Sequence, residues 1–229
     1  MLLHREALLQ RTRLLGPAFV AAVAYVDPGN VATNTQAGAA FGYLLLWVLV
    51  GATLMAGLVQ YLSAKVGWLT GETLPALVAR RNSRLPRICY WIQAELVAVA
   101  TDLAEIVGGA VALNLLFGLP LVTGALITTA VSTGLLFLQN SRRQRTFERV
   151  ITGMLAIVTV GFLAGLIASP PDASQAVAGL VPRLSGVESA VLAVGMLGAT
   201  VMPHAIYLHS ALIRDRHGRA DPDCAAEWR

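Results

Sequence analysis

A small set of side chains in this sequence could do chemistry: Asp27, Asn30, Glu95, Asp102, Glu105, Met202, His204 and His209. Asp27 and Asn30 lie in Ala24-Tyr25-Val26-Asp27-Pro28-Gly29-Asn30. Met202 and His204 lie in Ala199-Thr200-Val201-Met202-Pro203-His204, which repeats the pattern Ala-x-Val-(Asp or Met)-Pro. Proline interrupts a helix, and Asp-Pro-Gly-Asn alone also suits a simple turn. Recurrence inside a second apolar run argues for more than a turn. Unwinding at both places frees carbonyls of the preceding turns, around Ala24 and Ala199, and exposes half-helix ends of the kind that bind ions. To these Asp27 adds a hard anionic oxygen, Asn30 a neutral oxygen and Met202 a soft thioether. That mixture suits Mn²⁺ and Fe²⁺ better than Mg²⁺ or Ca²⁺, which take oxygen alone. Methionine also serves simply as packing, so Met202 is the discriminating residue.

Glu95, Asp102 and Glu105 share one apolar stretch. Glu95 and Asp102 fall on one helical face and Glu105 on a neighbouring one. Acids in such a setting either form an ion or proton pathway or pair with Arg or His of another helix, and both readings stand. His204, directly after Pro203, either titrates between two access states or caps the broken helix. His204 and His209 differ by about 140° around a helix, so they are not a metal-binding i, i+4 pair. That spacing argues against a metalloprotease, and no nucleophile–base pairing or Gly-rich phosphate loop points to another enzyme.

The elements that must position these groups are membrane spans. Of 229 residues, 56% are hydrophobic and 13% charged, with mean hydropathy +0.65. Soluble domains are about 45–50% apolar and about 25% charged. Against the roughly 20 residues needed to cross a bilayer, apolar runs predict all-α spans at about 14–40, 44–64, 88–117, 119–139, 147–168 and 187–213. The first and last carry the breaks. Of the 17 Lys and Arg, all but Arg183 fall before the first span, between the second and third, between the fourth and the first turn of the fifth, or after the sixth. The positive-inside rule then puts both termini in the cytoplasm, and explains the net charge of +4 without nucleic acid. Arg5, Arg11 and Arg13 followed by an apolar run could pass for a signal peptide. Cleavage after Ala22-Val23-Ala24 would cut the first motif, and five further spans follow. Cys89 and Cys224 lack disulfide or zinc spacing, and no cofactor is expected.

The paired motifs Asp27-Pro28-Gly29-Asn30 and Met202-Pro203-His204 resemble the two signatures of the Nramp family of proton-coupled divalent metal transporters. Ala94-Glu95-Leu96 and Thr101-Asp102-Leu103-Ala104-Glu105 resemble that family's third helix, and the similarity runs from about Gly16 to Leu212. The resemblance implies a LeuT-type inverted-repeat fold with helices 1 and 6 broken mid-membrane. It further implies Asp27, Asn30, Met202 and the carbonyls of Ala24 and Ala199 as metal ligands. His204, Asp102 and Glu105, with Glu95 a lesser member, would carry protons. The chain would divide into a cytoplasmic segment (1–13), a first five-helix repeat (14–168), an extracytoplasmic loop (169–186), the first helix of a second repeat (187–213) and a cytoplasmic tail (214–229). Family partners on later helices are absent, which predicts an N-terminal fragment or one half of a split importer in the cytoplasmic membrane. The expected partners are the divalent metal, protons, the lipid bilayer and a C-terminal half or full-length chain. The alternatives are a non-transporting interaction module that assembles with a partner, and a LeuT-fold symporter for another substrate. Asp27 weighs against a carboxylate substrate for the latter.

Overall fold

The computed structural model describes residues 25–138 and 144–218, in which every regular element is an α-helix. In chain order these are α1 (Pro28–Phe41), α2 (Leu46–Thr70), α3 (Leu74–Arg81), α4 (Arg84–Phe117), α5 (Leu121–Leu138), α6 (Gln144–Ala168), α7 (Ala173–Ala178), α8 (Gly186–Thr200) and α9 (Pro203–His217). Leu46–Thr70, Arg84–Phe117 and Gly186–Asp215 are long and apolar enough to cross a membrane. Leu121–Leu135 and Thr152–Ala168 are shorter apolar stretches. Five of the expected spans thus coincide with helices, and the first expected span lies outside the described residues up to Ala24.

Two short helices stand where the sequence pattern predicts connections. α3 forms because Thr73 caps it, its Oγ1 accepting from the Ala76 amide, and Pro75 sits in the first turn, where a missing N–H costs nothing. α7 is capped in the same way by Asp172. α4, at 34 residues, runs well past its expected start at residue 88. At 1.5 Å per residue it is roughly 50 Å long, against about 30 Å of hydrocarbon, so several turns must project beyond the bilayer core.

The packing explains how distant segments meet. α1 lies on α8 and α4, α2 on α8 and α9, and α4 on α5, while α9 also touches α3 and α4. Ala37, Leu45, Val48, Leu192 and Met196 form the apolar core where α1, α2 and α8 converge. Along the α2–α9 seam, any Cβ at Gly67 would strike the Ser210 carbonyl, so only glycine permits this approach. Ser63 Oγ donates to the Ile206 carbonyl, and the Leu74 amide donates to Ser210 Oγ. At the other end the 169–185 connection is tied to the α1–α2 turn. There the Trp47 amide donates to Gly179 O (3.0 Å), Trp47 Nε1 to Arg183 O (3.1 Å), and the Asp172 amide to Tyr43 Oη (3.1 Å).

Candidate functional site

Both Pro motifs are helix starts, and proline chemistry explains the carbonyls they leave free. In a helix the carbonyl of residue i accepts from the amide of residue i+4. A proline at i+4 has no N–H to offer. Pro203, first residue of α9, therefore leaves the Ala199 carbonyl without a helical partner, and the same rule applied to Pro28, first residue of α1, points to Ala24. Ala24 itself lies outside the described residues. Between α8 and α9 only Val201 (φ −96°, ψ 78°) and Met202 (φ −89°, ψ 118°) leave the helical conformation.

The two starts are capped differently. Asp27 is an N-cap whose carboxylate accepts from the Gly29 amide (3.1 Å) and the Asn30 amide (3.2 Å). Met202, in the equivalent place before α9, makes no side-chain cap bond and is 5% exposed. The first amides of α9 consequently have no cap from that residue, leaving the partly positive end of the helix dipole there.

Asn30 joins the two breaks. Its Nδ2 lies against three oxygens: Tyr25 O (3.1 Å), Ala199 O (3.0 Å) and Asp27 Oδ1. Its Oδ1 accepts from Thr200 Oγ1 (2.9 Å). An amide has two N–H groups for these three acceptors, one of them a carboxylate oxygen, so the cluster is rich in oxygen lone pairs. Among the described residues no three of His, Cys, Asp and Glu converge on a common point. A cation here would be held by one carboxylate with amide, carbonyl and thioether groups.

α4 passes close to the same place. At Gly108 an added Cβ would overlap the Pro28 ring, so glycine is needed for α4 to meet the start of α1. One turn earlier, Glu105 lies in the neighbourhood of Asp102, His204 and Asp27. His204 Nδ1 is buried without a hydrogen-bond partner among the described residues. Glu95, more than two turns before Glu105, is exposed and is not brought to this cluster.

The sequence pattern missed a second polar chain. Tyr25 Oη accepts from Gln60 Nε2 (2.8 Å), and Gln60 Oε1 pairs with His209 Nδ1 (2.7 Å). Gln60 and His209 are 7% and 9% exposed, so their bond is buried, and with the part-buried Tyr25 bond it links the first break to α2 and α9. This orientation of Gln60 puts the proton on His209 Nδ1. The three residues line a cavity of about 430 Å³ with Asn30, Asn34 and Thr200, and Asn34 Oδ1 is buried without a hydrogen-bond partner among the described residues. The signal available in sequence was Gln60 itself, an uncharged polar residue in mid-span with no local motif around it.

Apolar helices of spanning length around a small oxygen-rich centre mark a helical integral membrane protein. Comparison with known proteins specifies the family. Residues 18–227 match the family described as Nramp, natural resistance-associated macrophage protein-like, and the chain belongs to it. It is 56% identical over 218 residues to the divalent metal cation transporter MntH of Mycobacterium tuberculosis, covering 95% of this chain and 51% of that protein. With the MntH of Mycobacterium leprae it shares 57% identity over 205 residues, 90% of this chain and 48% of the other. The crystal structure of an Eremococcus coleocola manganese transporter, in complex with an aromatic bis-isothiourea substituted compound, superposes with a TM-score of 0.78 at 35% identity. That match covers 96% of this chain and 47% of the other. The chain thus spans about half the length of the curated relatives it matches, which are transporters and not enzymes.

Proposed function

We propose that this chain provides the metal-binding half-helices of a proton-coupled importer of Mn²⁺ and Fe²⁺ in the cytoplasmic membrane. Both termini face the cytoplasm in this reading. The observation that carries it is the convergence of Asp27 Oδ1, Tyr25 O and Ala199 O at two proline-made breaks. Asn30 Nδ2 fills that point in the structure; turning the amide over would present Oδ1 to a cation instead. Met202 adds its thioether from the start of α9, and Ala24 a carbonyl that Pro28 leaves free. The printed names of the relatives, divalent metal cation transporter and manganese transporter, support the substrate class.

Protons would travel through Glu105, Asp102 and His204, a route supported by the nearness of Asp102 and His204 to Glu105, with Glu95 a peripheral member. In the LeuT-type arrangement residues 14–168 would form the first repeat and 187–213 the broken first helix of the second. Metal would enter from outside, and rocking of the two broken helices would switch access. Since the chain spans about half of each relative, the full cycle is proposed for it together with segments equivalent to the remainder. A second reading, a non-transporting module that assembles with a partner chain, draws on the exposure of Glu95, Asp102 and most of α4.

Radiolabelled Mn²⁺ uptake into vesicles tests both readings, using this chain alone and with a chain supplying the remaining helices. Coupled uptake that Asp27→Ala reduces to background supports the transporter. Uptake unchanged by Asp27→Ala sinks the proposed site, and no uptake in either arrangement favours the interaction module.

A further inference from the structure

Away from the oxygen-rich centre, α3, the first turns of α4 and the middle of α9 enclose a cleft of about 560 Å³. Small-ligand clefts run from about 300 to about 1,000 Å³. Its walls are apolar and aromatic, with Val78 from α3, Ile88 and Trp91 from α4, and Tyr207 from α9. Tyr90 and Tyr207 face the cleft together from α4 and α9. Arg87 lines it as well, and Arg84, one turn earlier on α4, shares its face.

The charge around this cleft is one-sided. Arg80, Arg81, Arg84 and Arg87 lie within eight positions, and Glu72 is the one acid between Lys65 and Glu95. Glu72 pairs with Arg80 at 2.7 Å. Among the described residues Arg81, Arg84 and Arg87 have no acidic partner, and all are exposed. α4 is too long for the bilayer core, so these first turns stand at the headgroup level, where Trp and Tyr also settle.

We propose that this cleft is a binding site for one anionic phospholipid. Arg84 and Arg87 hold its phosphate, for which the guanidinium fork is suited, and Val78, Ile88 and Trp91 cover the upper acyl chain. Charge complementarity selects this occupant: Arg87 in the lining of an apolar slot, with the uncompensated Arg84 one turn away on the same face, disfavours a zwitterionic lipid relative to an anionic one. The lipid bears on α9 through Tyr207, one turn past His204, and so braces the half-helix that begins at the second break. The inference rests on the proposed membrane placement of α4.

The test is fluorescence quenching of the 229-residue chain in phosphatidylcholine vesicles doped with brominated phosphatidylglycerol or brominated phosphatidylcholine. Quenching lost on Trp91→Phe isolates that residue. Brominated phosphatidylglycerol is expected to quench Trp91 about threefold more than brominated phosphatidylcholine at equal mole fraction. Arg84→Gln/Arg87→Gln should bring the two lipids to equality, whereas Arg183→Gln, at the far end of the molecule, should leave the preference intact. Because a variant can misfold, the unmodified chain is also measured in high salt. Raising salt from about 0.1 M to about 1 M, which shortens the Debye length from about 10 Å to about 3 Å, should shrink the preference. Equal quenching by both lipids, or a preference that survives the double variant and high salt, overturns the lipid site while leaving the membrane placement standing. Absence of quenching by either lipid shows the cleft covered by protein and also overturns it. Labelling of Cys89 by an impermeant maleimide reports the placement of α4 independently of lipid choice.

Discussion

At the scale of single residues, Met202 and Asp27 occupy equivalent places with opposite chemistry. Asp27 caps its helix with two amide bonds, while Met202 makes no side-chain cap bond and is buried. A cap position left to a thioether is costly for the helix, since Asp, Asn, Ser or Thr there typically contributes about 1 kcal/mol. In the proposed site that sulfur is a soft ligand that favours transition metals. Met202→Ala is therefore expected to reduce discrimination between Mn²⁺ and Ca²⁺ about tenfold, equivalent to about 1.4 kcal/mol. Competition of Ca²⁺ against radiolabelled Mn²⁺ uptake measures it, and unchanged selectivity would remove Met202 from the ligand set.

At the scale of elements, two contacts decide whether the site is assembled. The first is Gly108 on the Pro28 ring. Gly108→Ala should push α4 off the start of α1, with the cost of about 1–3 kcal/mol usual for overpacking, read as a lower melting temperature in detergent. Gly134→Ala in α5, where nothing lies within 4 Å of the added carbon, is the control. It should be neutral or mildly stabilising, because alanine is the better helix former. The second contact is the 169–185 connection on the α1–α2 turn, anchored by α7. The Asp172 carboxyl is held below its ordinary value by the Ser174 hydroxyl first, then by Gln175 and the Ser174 amide. A depressed carboxylate stabilises above its unfolded pKa, about 3.9, and that contribution fades as pH falls through the lower folded value. Amide exchange at Ser174 and Gln175 should accordingly accelerate at and below about pH 4, and Asp172→Asn should show the faster exchange already at neutral pH. Exchange indifferent to both changes would mean that the cap does not hold α7.

For the whole molecule the question is which way the helices run through the membrane. In the proposed topology the α2–α4 region faces the cytoplasm, and Cys89 is exposed near the start of α4. An impermeant maleimide should label it in inside-out vesicles and not in intact cells, the signal being the part lost on Cys89→Ser. Labelling from the outside would invert the topology and the proposed direction of transport. The apolar faces of α4, α5 and α6 are exposed in the chain by itself, with residues such as Leu115, Val122 and Ile167 more than 70% accessible. Lipid or protein must cover them in the membrane.

The sequence by itself determined the local breaks and their composition. Proline chemistry is local, so Pro28 and Pro203 identify the carbonyls they release and the residues, Asp27 and Met202, that stand before them. Apolar length and the placement of arginine are likewise one-dimensional properties, and they sufficed for the helical, membrane-embedded class. Where Asn30 finds its partners is a different kind of fact. The Ala199 carbonyl and Thr200 are about 170 positions away along the chain, and only the packing of α1 on α8 brings them within 3.0 Å and 2.9 Å. Tertiary structure also decided between the three acids of α4, because Gly108 lets Glu105 approach the breaks while Glu95 lies turns away on the same helix. It revealed the Tyr25–Gln60–His209 chain, whose members carry no shared spacing. The two motifs could thus be read as breaks from residue type alone. That they join in one oxygen-rich centre follows from hydrogen bonds between segments that no local pattern connects.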